Sequence, residues 1–320
     1  MSGFFNIVYP DADASSEAEI GAERLRQLES LGSYKSHIGA PEDESEFISR
    51  IENADGVMLG WSMSNAVMVA APRLKVISFT GIGVAKFVDL DQAKRHGITV
   101  CNCPGYGDRT VAEHALALLF AVARKIPLHD QNTRRGSWSI AGEGFELLGR
   151  SVGLIGFGGI GQQFASLCQA LGMRVLVWTR NPDKYRDLHP DYDFVDLQEL
   201  LSTVDIVSLH VAHSAETEGL LGAAQISCMK DSAVVINTSR GEVIDEQALC
   251  DALQNGRLAG AGLDVFATEP LLCDHPLTSA PNTVLTPHIA YATPGASRRI
   301  HQIAADNILR YFAGDPINIV

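Results

Sequence analysis

Val152-Gly153-Leu154-Ile155 runs directly into Gly156-Phe157-Gly158-Gly159-Ile160-Gly161, and the segment Gln162–Leu171 follows before a stop at Gly172. The apolar run reads as a buried strand, the glycines as a tight turn and the remainder as a helix folded back on the strand. Gly156 then permits the turn, Gly158 lets backbone approach a pyrophosphate, and Gly161 allows close helix–strand contact. N–H groups at the start of the helix, at the positive end of its dipole, receive the phosphates. A second apolar run, Arg174–Trp178, completes a strand–helix–strand unit. The stretch therefore predicts dinucleotide binding, whereas the glycines without that setting would mark only an ordinary turn.

Working outward, the same alternation continues through Ile206–Leu209, Ala233–Asn237, Ala259–Leu263 and Thr283–Leu285. An earlier, less regular series has strands at Phe4–Tyr9, Gly56–Leu59, Val76–Phe79 and Ile98–Val100, separated by polar periodic segments such as Glu17–Leu31 and Glu42–Glu52. Short apolar strands alternating with helices imply two doubly wound parallel α/β sheets. The Ala/Leu-rich segment Thr110–Lys125 is apolar nearly all round, needs cover on several sides and is placed between the two domains. The final helix, Ala296–Phe312, has no third domain to join and is expected to return to the first. The predicted layout is a discontinuous substrate-binding domain, 1–101 with 290–320, and a Rossmann domain, 102–289. No internal repeat is evident in the sequence.

The chain's 320 residues suit two domains, and 46% hydrophobic residues with 20% charged allow substantial cores. A formal charge of −13, with no basic cluster, argues against nucleic acid as a partner. The six cysteines show neither paired metal-ligand spacing nor the density of a disulfide scaffold, so no metal site is expected. Met1–Pro10 has no basic leader, and the longest apolar stretch, near Ala115–Ala123, is about half what a bilayer span needs. A cytoplasmic protein with no membrane partner is the expectation.

The end of the second strand decides which nicotinamide dinucleotide is favoured. An acid about 20 residues beyond the glycines commonly holds the adenosine ribose. Here the chain reads Trp178-Thr179-Arg180-Asn181, with no acid before Asp183. A hydroxyl followed by a guanidinium suits a 2′-phosphate, which predicts NADPH over NADH. The plain alternative is a solvent-facing arginine beside a turn.

Three motifs then fall at strand ends, where ligands of open α/β sheets gather. They are Asn237-Thr238-Ser239-Arg240-Gly241, Asp264-Val265-Phe266-Ala267-Thr268-Glu269-Pro270 and Thr286-Pro287-His288-Ile289-Ala290. His288 fits a proton donor to a carbonyl oxygen, Glu269 a carboxylate that orients its ring, and Arg240 a guanidinium that holds and polarises an anionic substrate. Taken singly, each has an ordinary reading as an ion-pair, turn or loop residue.

Together with Pro72–Ile77, Gly81-Ile82-Gly83, Pro104-Gly105-Tyr106 and Val111-Ala112-Glu113-His114, these motifs make the chain resemble the D-isomer-specific 2-hydroxyacid dehydrogenase family over almost its whole length. The resemblance implies a Rossmann domain inserted in a flavodoxin-like domain, with Arg240, Glu269 and His288 as the catalytic trio. It also implies that the Ile82 and Gly83 amides receive the substrate carboxylate together with Arg240 and His288, and that Asp264 anchors the nicotinamide amide. Cofactor contacts are implied at Gly156, Phe157, Gly158, Gly159, Ile160, Gly161, Thr179, Arg180, His210, Thr217, Thr238, Asp264, His288 and Ala290. A homodimer is implied, with the Thr110–Lys125 helix and an arm at Ile126–Trp138 in its interface. Thr179-Arg180 looks like the NADPH-using glyoxylate and hydroxypyruvate reductases of this family, so a small 2-oxo acid is the expected substrate.

Departures from the family pattern occur at Ala85, at Ala212-His213 and at Tyr291, and they bear on substrate identity more than on reaction type. Two other readings stay open: a bulkier 2-oxo acid, and a dinucleotide-sensing corepressor, against which the lack of an extended tail counts. Glu113 and His114 are expected to make interdomain hydrogen bonds. Trp61 either walls a pocket or packs in the core, and His213 either reaches phosphate or faces solvent.

Overall fold

The computed structural model describes residues 4–320; the first three residues of the expected substrate-binding domain fall outside them. Two compact units divide the chain, one running to Gly107 and resuming at Thr293–Val320, the other spanning Asp108–Ala292. The boundaries thus lie a few residues beyond those read from the sequence.

The first unit is built on five parallel strands: β1 (Phe5–Ala12), β2 (Gly32–Ile38), β3 (Gly56–Leu59), β4 (Val76–Phe79) and β5 (Thr99–Cys101), in the order β2-β1-β3-β4-β5. Successive side chains on a strand face opposite ways, so both faces must be covered. Val57, Leu59 and Ile77 pack on one side against Phe47, Ile51, Val67 and Met68. Ile7, Met58 and Val76 pack on the other against Ile20, Leu28, Ala304 and Ile308. The second group draws on the terminal helix Pro294–Phe312, which packs against β3 and β4.

Seven parallel strands form the second unit: β6 (Ser151–Ile155), β7 (Arg174–Trp178), β8 (Asp193–Phe194), β9 (Ile206–Leu209), β10 (Val234–Asn237), β11 (Gly260–Leu263) and β12 (Thr283–Leu285), in the order β12-β11-β10-β9-β6-β7-β8. One face carries the helices Asp108–Ala123 and Gly159–Ala170, through Leu118, Leu119, Val122, Phe164 and Cys168. Glycine makes the first of these contacts close: a Cβ on Gly260 would fall 2.7 Å from Val122, and one on Gly262 2.9 Å from Leu118. The Ala/Leu-rich helix thus owes its apolar stripe to this sheet. Each fully buried leucine there contributes roughly 1.5–3 kcal/mol.

Two strands escape a reading by hydrophobic pattern. β2 carries Ser33, Lys35, Ser36 and His37, lies at a sheet edge and is held by its register with β1. β8 is only two residues long. The polar segment read as one helix over Glu17–Leu31 is two, Ser16–Ile20 and Ala22–Ser30, broken at Gly21 with φ +88°. No helix among the described residues is long and apolar enough to cross a membrane, and no group of three or more His, Cys, Asp or Glu among them could hold a metal ion. Cys101 and Cys103 are buried free thiols of the first unit, and burial pushes them up to about 11 and about 12.

Candidate active site

The glycine turn leaves the end of β6 as the sequence requires. Gly156 has φ +102°, a conformation strained for any side chain, and a Cβ there would stand 2.7 Å from the His210 carbonyl carbon. A Cβ on Gly161 would stand 2.6 Å from the Gly156 oxygen, whereas nothing lies within 4 Å of the corresponding point on Gly158. The backbone is closed behind the turn and open in front of it. No side chain caps the Gly159–Ala170 helix, and the first intrahelical bond runs from the Gln162 N–H to the Gly158 carbonyl. The N–H groups of residues 159–161 remain for an anion, so these residues fit a dinucleotide pyrophosphate. Phe157 is different: its side chain is buried, with rings of Tyr185, His189, Tyr192 and Phe194 packed edge-on around it. Only its backbone is left for a ligand.

Around this turn, two buried polar atoms lack partners among the described residues: His210 Nδ1 and Thr238 Oγ1. Burial drives the His210 imidazole down to about 3, so the ring is neutral, with Nε2 2.9 Å from Ser208 Oγ. Thr217, by contrast, is committed locally. Its hydroxyl donates to the Ala212 carbonyl at 2.7 Å and accepts from the Ser214 N–H at 2.8 Å, which closes its own loop. Thr179 and Arg180 follow β7, and Arg180 pairs with Glu216 at 2.8 Å, both side chains about seven-tenths exposed.

The ends of β10, β11 and β12 are neighbours in the sheet, which brings the three motifs to one edge. Asn237 shapes the first loop: its Oδ1 accepts from the Ser239 N–H and its Nδ2 donates to the Arg240 carbonyl, both at 2.9 Å. Gly241 lets this loop lie directly on the next, because a Cβ there would overlap the Phe266 carbonyl carbon and the Ala267 nitrogen. On that second loop Glu269 is pinned by the Phe266 N–H, which donates to Oε1 at 3.0 Å. Its other oxygen, Oε2, lies 2.8 Å from His288 Nδ1. Nδ1 is thereby assigned as the donor, and Nε2 has no protein partner among the described residues. Arg240 makes no hydrogen bond to either group; its Nη1 donates to the Ser239 carbonyl at 2.7 Å.

Asp264 holds the histidine loop. Its main-chain carbonyl accepts from the His288 N–H at 2.8 Å, and its carboxylate accepts from the Ile289 and Ala290 N–H groups, each at 2.9 Å, and from Thr286 Oγ1 at 2.5 Å. Burial raises the Asp264 carboxyl, but bonds from His114, Thr286 and the two amides outweigh it and leave the group below its ordinary value. These ties keep His288 at φ +53°, a rare conformation for a side chain of its kind. The Asp264 carboxylate and the Ala290 N–H, expected to meet the cofactor, are thus both engaged by the protein. Contrary to the expectation of interdomain bonds, His114 Nε2 lies 3.0 Å from Thr286 Oγ1 within the same unit, and Glu113 pairs with Arg109 on its own helix. Neither bond is interdomain, because the helix lies across β10–β12.

In the first unit, Ile82 and Gly83 follow β4, and their N–H groups donate to no acceptor among the described residues. Trp61 is 64% exposed, which removes the packed-core reading, and His213 is exposed. Signals for the pinning roles of Asp264, Asn237 and Gly241 were present in the motifs, but only the folded loops reveal them.

Residues 116–290 match the family model described as "D-isomer specific 2-hydroxyacid dehydrogenase, NAD binding domain". A hydroxypyruvate reductase of Blautia hydrogenotrophica is 37% identical over 289 residues, 87% of this chain and 88% of the relative. A glyoxylate reductase of Korarchaeum cryptofilum is 36% identical over 312 residues, 94% of this chain and 92% of the relative. The crystal structure of an NADPH-dependent glyoxylate/hydroxypyruvate reductase of Sinorhizobium meliloti superposes with a TM-score of 0.86 at 30% identity, covering 98% of this chain and 97% of that one. With a glycine turn built for a dinucleotide, a carboxylate-held histidine and these likenesses, the chain belongs to the D-isomer-specific 2-hydroxyacid dehydrogenase family.

Proposed function

We propose that this protein is a reductase of small 2-oxo acids of the glyoxylate and hydroxypyruvate class, with NADPH preferred over NADH. The observation that carries the reading is the Glu269–His288 pair, 2.8 Å apart, with Nε2 left for the substrate. The reduced nicotinamide, when bound, supplies a hydride to the carbonyl carbon. His288 holds the proton that the carbonyl oxygen takes up, and Glu269 fixes the ring so that Nε2 presents it. Arg240 supplies a guanidinium for the substrate carboxylate and for the charge that grows on the oxygen. The unengaged Ile82 and Gly83 amides are the proposed further donors to that carboxylate.

The NADPH preference rests on Thr179-Arg180. The Arg180–Glu216 pair is exposed, and such pairs contribute little, so a 2′-phosphate exchanges for Glu216 at small cost. The relatives named for glyoxylate and hydroxypyruvate support the substrate class. A cytoplasmic homodimer joined through the second unit belongs to the same reading; Ile126, Leu128 and Trp138 are exposed apolar side chains on the proposed arm.

A spectrophotometric screen of NADPH and NADH against glyoxylate, hydroxypyruvate, pyruvate, 2-oxoglutarate and aromatic 2-oxo acids tests this. Oxidation of NADPH fastest with glyoxylate or hydroxypyruvate is expected. Turnover confined to bulky 2-oxo acids, or equal turnover with NADH, overturns the corresponding part.

A further inference from the structure

The glycine turn contains one glycine more than its fingerprint needs. Gly156, Gly158 and Gly161 have the roles derived above, and Gly159 has none of them. The structure supplies its reason: a Cβ on Gly159 would overlap Oδ2 of Asp108, so the carboxylate of Asp108 lies directly against the first residue of the phosphate-receiving helix. Asp108 is the first residue of the Asp108–Ala123 helix, and the packing of the two helices brings the two positions together. This carboxylate is partly buried, accepts no hydrogen bond among the described residues and has a pKa raised by burial alone.

We infer that Asp108 is a charge gate on dinucleotide affinity: its ionised carboxylate opposes the pyrophosphate at the N-terminus of the Gly159–Ala170 helix, and its protonation favours binding. The inference rests on the dinucleotide site. Its physical basis is that two anions brought within a few ångströms in a partly desolvated site repel, unless one is neutralised. A carboxyl already raised by burial is raised further by an adjacent pyrophosphate, so binding takes up a proton.

Other groups near Asp108 do not replace this effect. On its own helix, Arg109 is paired with Glu113, and His114 is bonded to Thr286 and faces Asp264. Among the elements packed against that helix, Gly159–Ala170 carries only the buried thiol Cys168, and β10, β11 and β12 carry no titratable side chain. The helix Ile126–Arg134, with His129, Asp130 and Arg134, packs at the opposite end. His210, behind the turn, is neutral, and Arg299 engages the Tyr106 carbonyl two residues before Asp108.

The test measures the Kd of NADH by fluorescence titration from pH 8 down through the carboxylate range to pH 4.5 at fixed ionic strength, each acid point read within minutes because NADH decays in acid, for the wild type, Asp108→Asn and Asp108→Ser. NADH is used because the 2′-phosphate of NADPH itself titrates near pH 6. Asn is isosteric and Ser is smaller and uncharged, so a folded neutral variant is obtainable, with circular dichroism as the check. At pH 8 the neutral variants are expected to bind about tenfold tighter than the wild type. That advantage should shrink toward acid, because only the wild type gains affinity as its carboxyl protonates. Equal or weaker binding by the variants at pH 8, or an advantage that does not change with pH, overturns the gate while leaving the dinucleotide site intact. Failure of every form to bind NADH or NADPH overturns the site, and the gate with it.

Discussion

The two sheets share a plan and diverge at one turn. Within the larger sheet, the run β7-β6-β9-β10-β11 repeats the order β2-β1-β3-β4-β5 of the smaller, with β8 and β12 added at its edges. Even the aspartates before the third strand of each run correspond. Asp55 accepts from the Asn6 N–H at 3.0 Å and from Lys75 at 3.2 Å; Asp205 accepts from the Ser151 N–H at 2.8 Å and from Lys230 at 3.0 Å. At the opposite ends the sheets part. β6 runs into the glycine turn and its exposed amides, whereas β1 ends in Pro10-Asp11-Ala12, where buried Asp11 accepts from the Gly60 and Trp61 N–H groups at 2.9 and 2.8 Å. A carboxylate already consumes the donors that an anion would want. The topology thus supplies a crevice twice, and residue content selects the one that takes phosphate.

Chemistry should therefore be lost from one sheet and stability from both. His288→Ala and Arg240→Ala are each expected to lower kcat/KM by about 10²–10⁴ while leaving unfolding cooperative, by the scale of general acid and electrostatic contributions. Steady-state assays with glyoxylate check this; variants that turn over like the parent would remove the distinction between the sheets.

Next in size are the matching aspartates. Asp55→Ala and Asp205→Ala each strand a backbone N–H, and about 1–3 kcal/mol of destabilisation is expected, larger at Asp55, whose side chain is 2% exposed against 19% for Asp205. Burial raises both carboxyls, but their hydrogen bonds and lysines outweigh it and leave both lowered. A lowered folded value means the stabilisation is complete above the ordinary carboxylate range and is lost as pH falls through the folded values. Urea melts at pH 7 and in acid should show the wild-type advantage at pH 7 and its disappearance in acid. Asp11, raised by burial, runs the other way: its ionisation opposes folding, a cost relieved as pH falls.

The smallest effect concerns the end of β7. Arg180→Ala is expected to reduce the NADPH to NADH ratio of kcat/KM by about tenfold, the scale of one charge-assisted contact at an exposed site. An unchanged ratio would return Arg180 to the role of a partner for Glu216.

Much of this was legible in the chain because it is local. β3, β4, β7, β9 and β12 begin and end where their apolar runs do, and the glycine turn is a single continuous stretch whose backbone demands no other residue meets. The order of Arg240, Glu269 and His288 is likewise written in the motifs. β2 was not legible, since a half-exposed edge strand with Lys35 and His37 has no apolar pattern and exists through its pairing with β1. Nor were the ties of Asp264 to the histidine loop, or the apposition of Asp108 and Gly159, because hydrogen-bond reach between loops depends on which strands become neighbours.

By itself the sequence determined two α/β units, a phosphate-binding turn and the three residue types needed for proton transfer beside an anion. Only the tertiary structure decided that His288 presents Nε2, that Asp264 serves the protein before any ligand, and that a carboxylate stands at the door of the phosphate site. The reason is physical: periodicity and backbone conformation act between neighbours in the chain, whereas charge and hydrogen bonding act between neighbours in space.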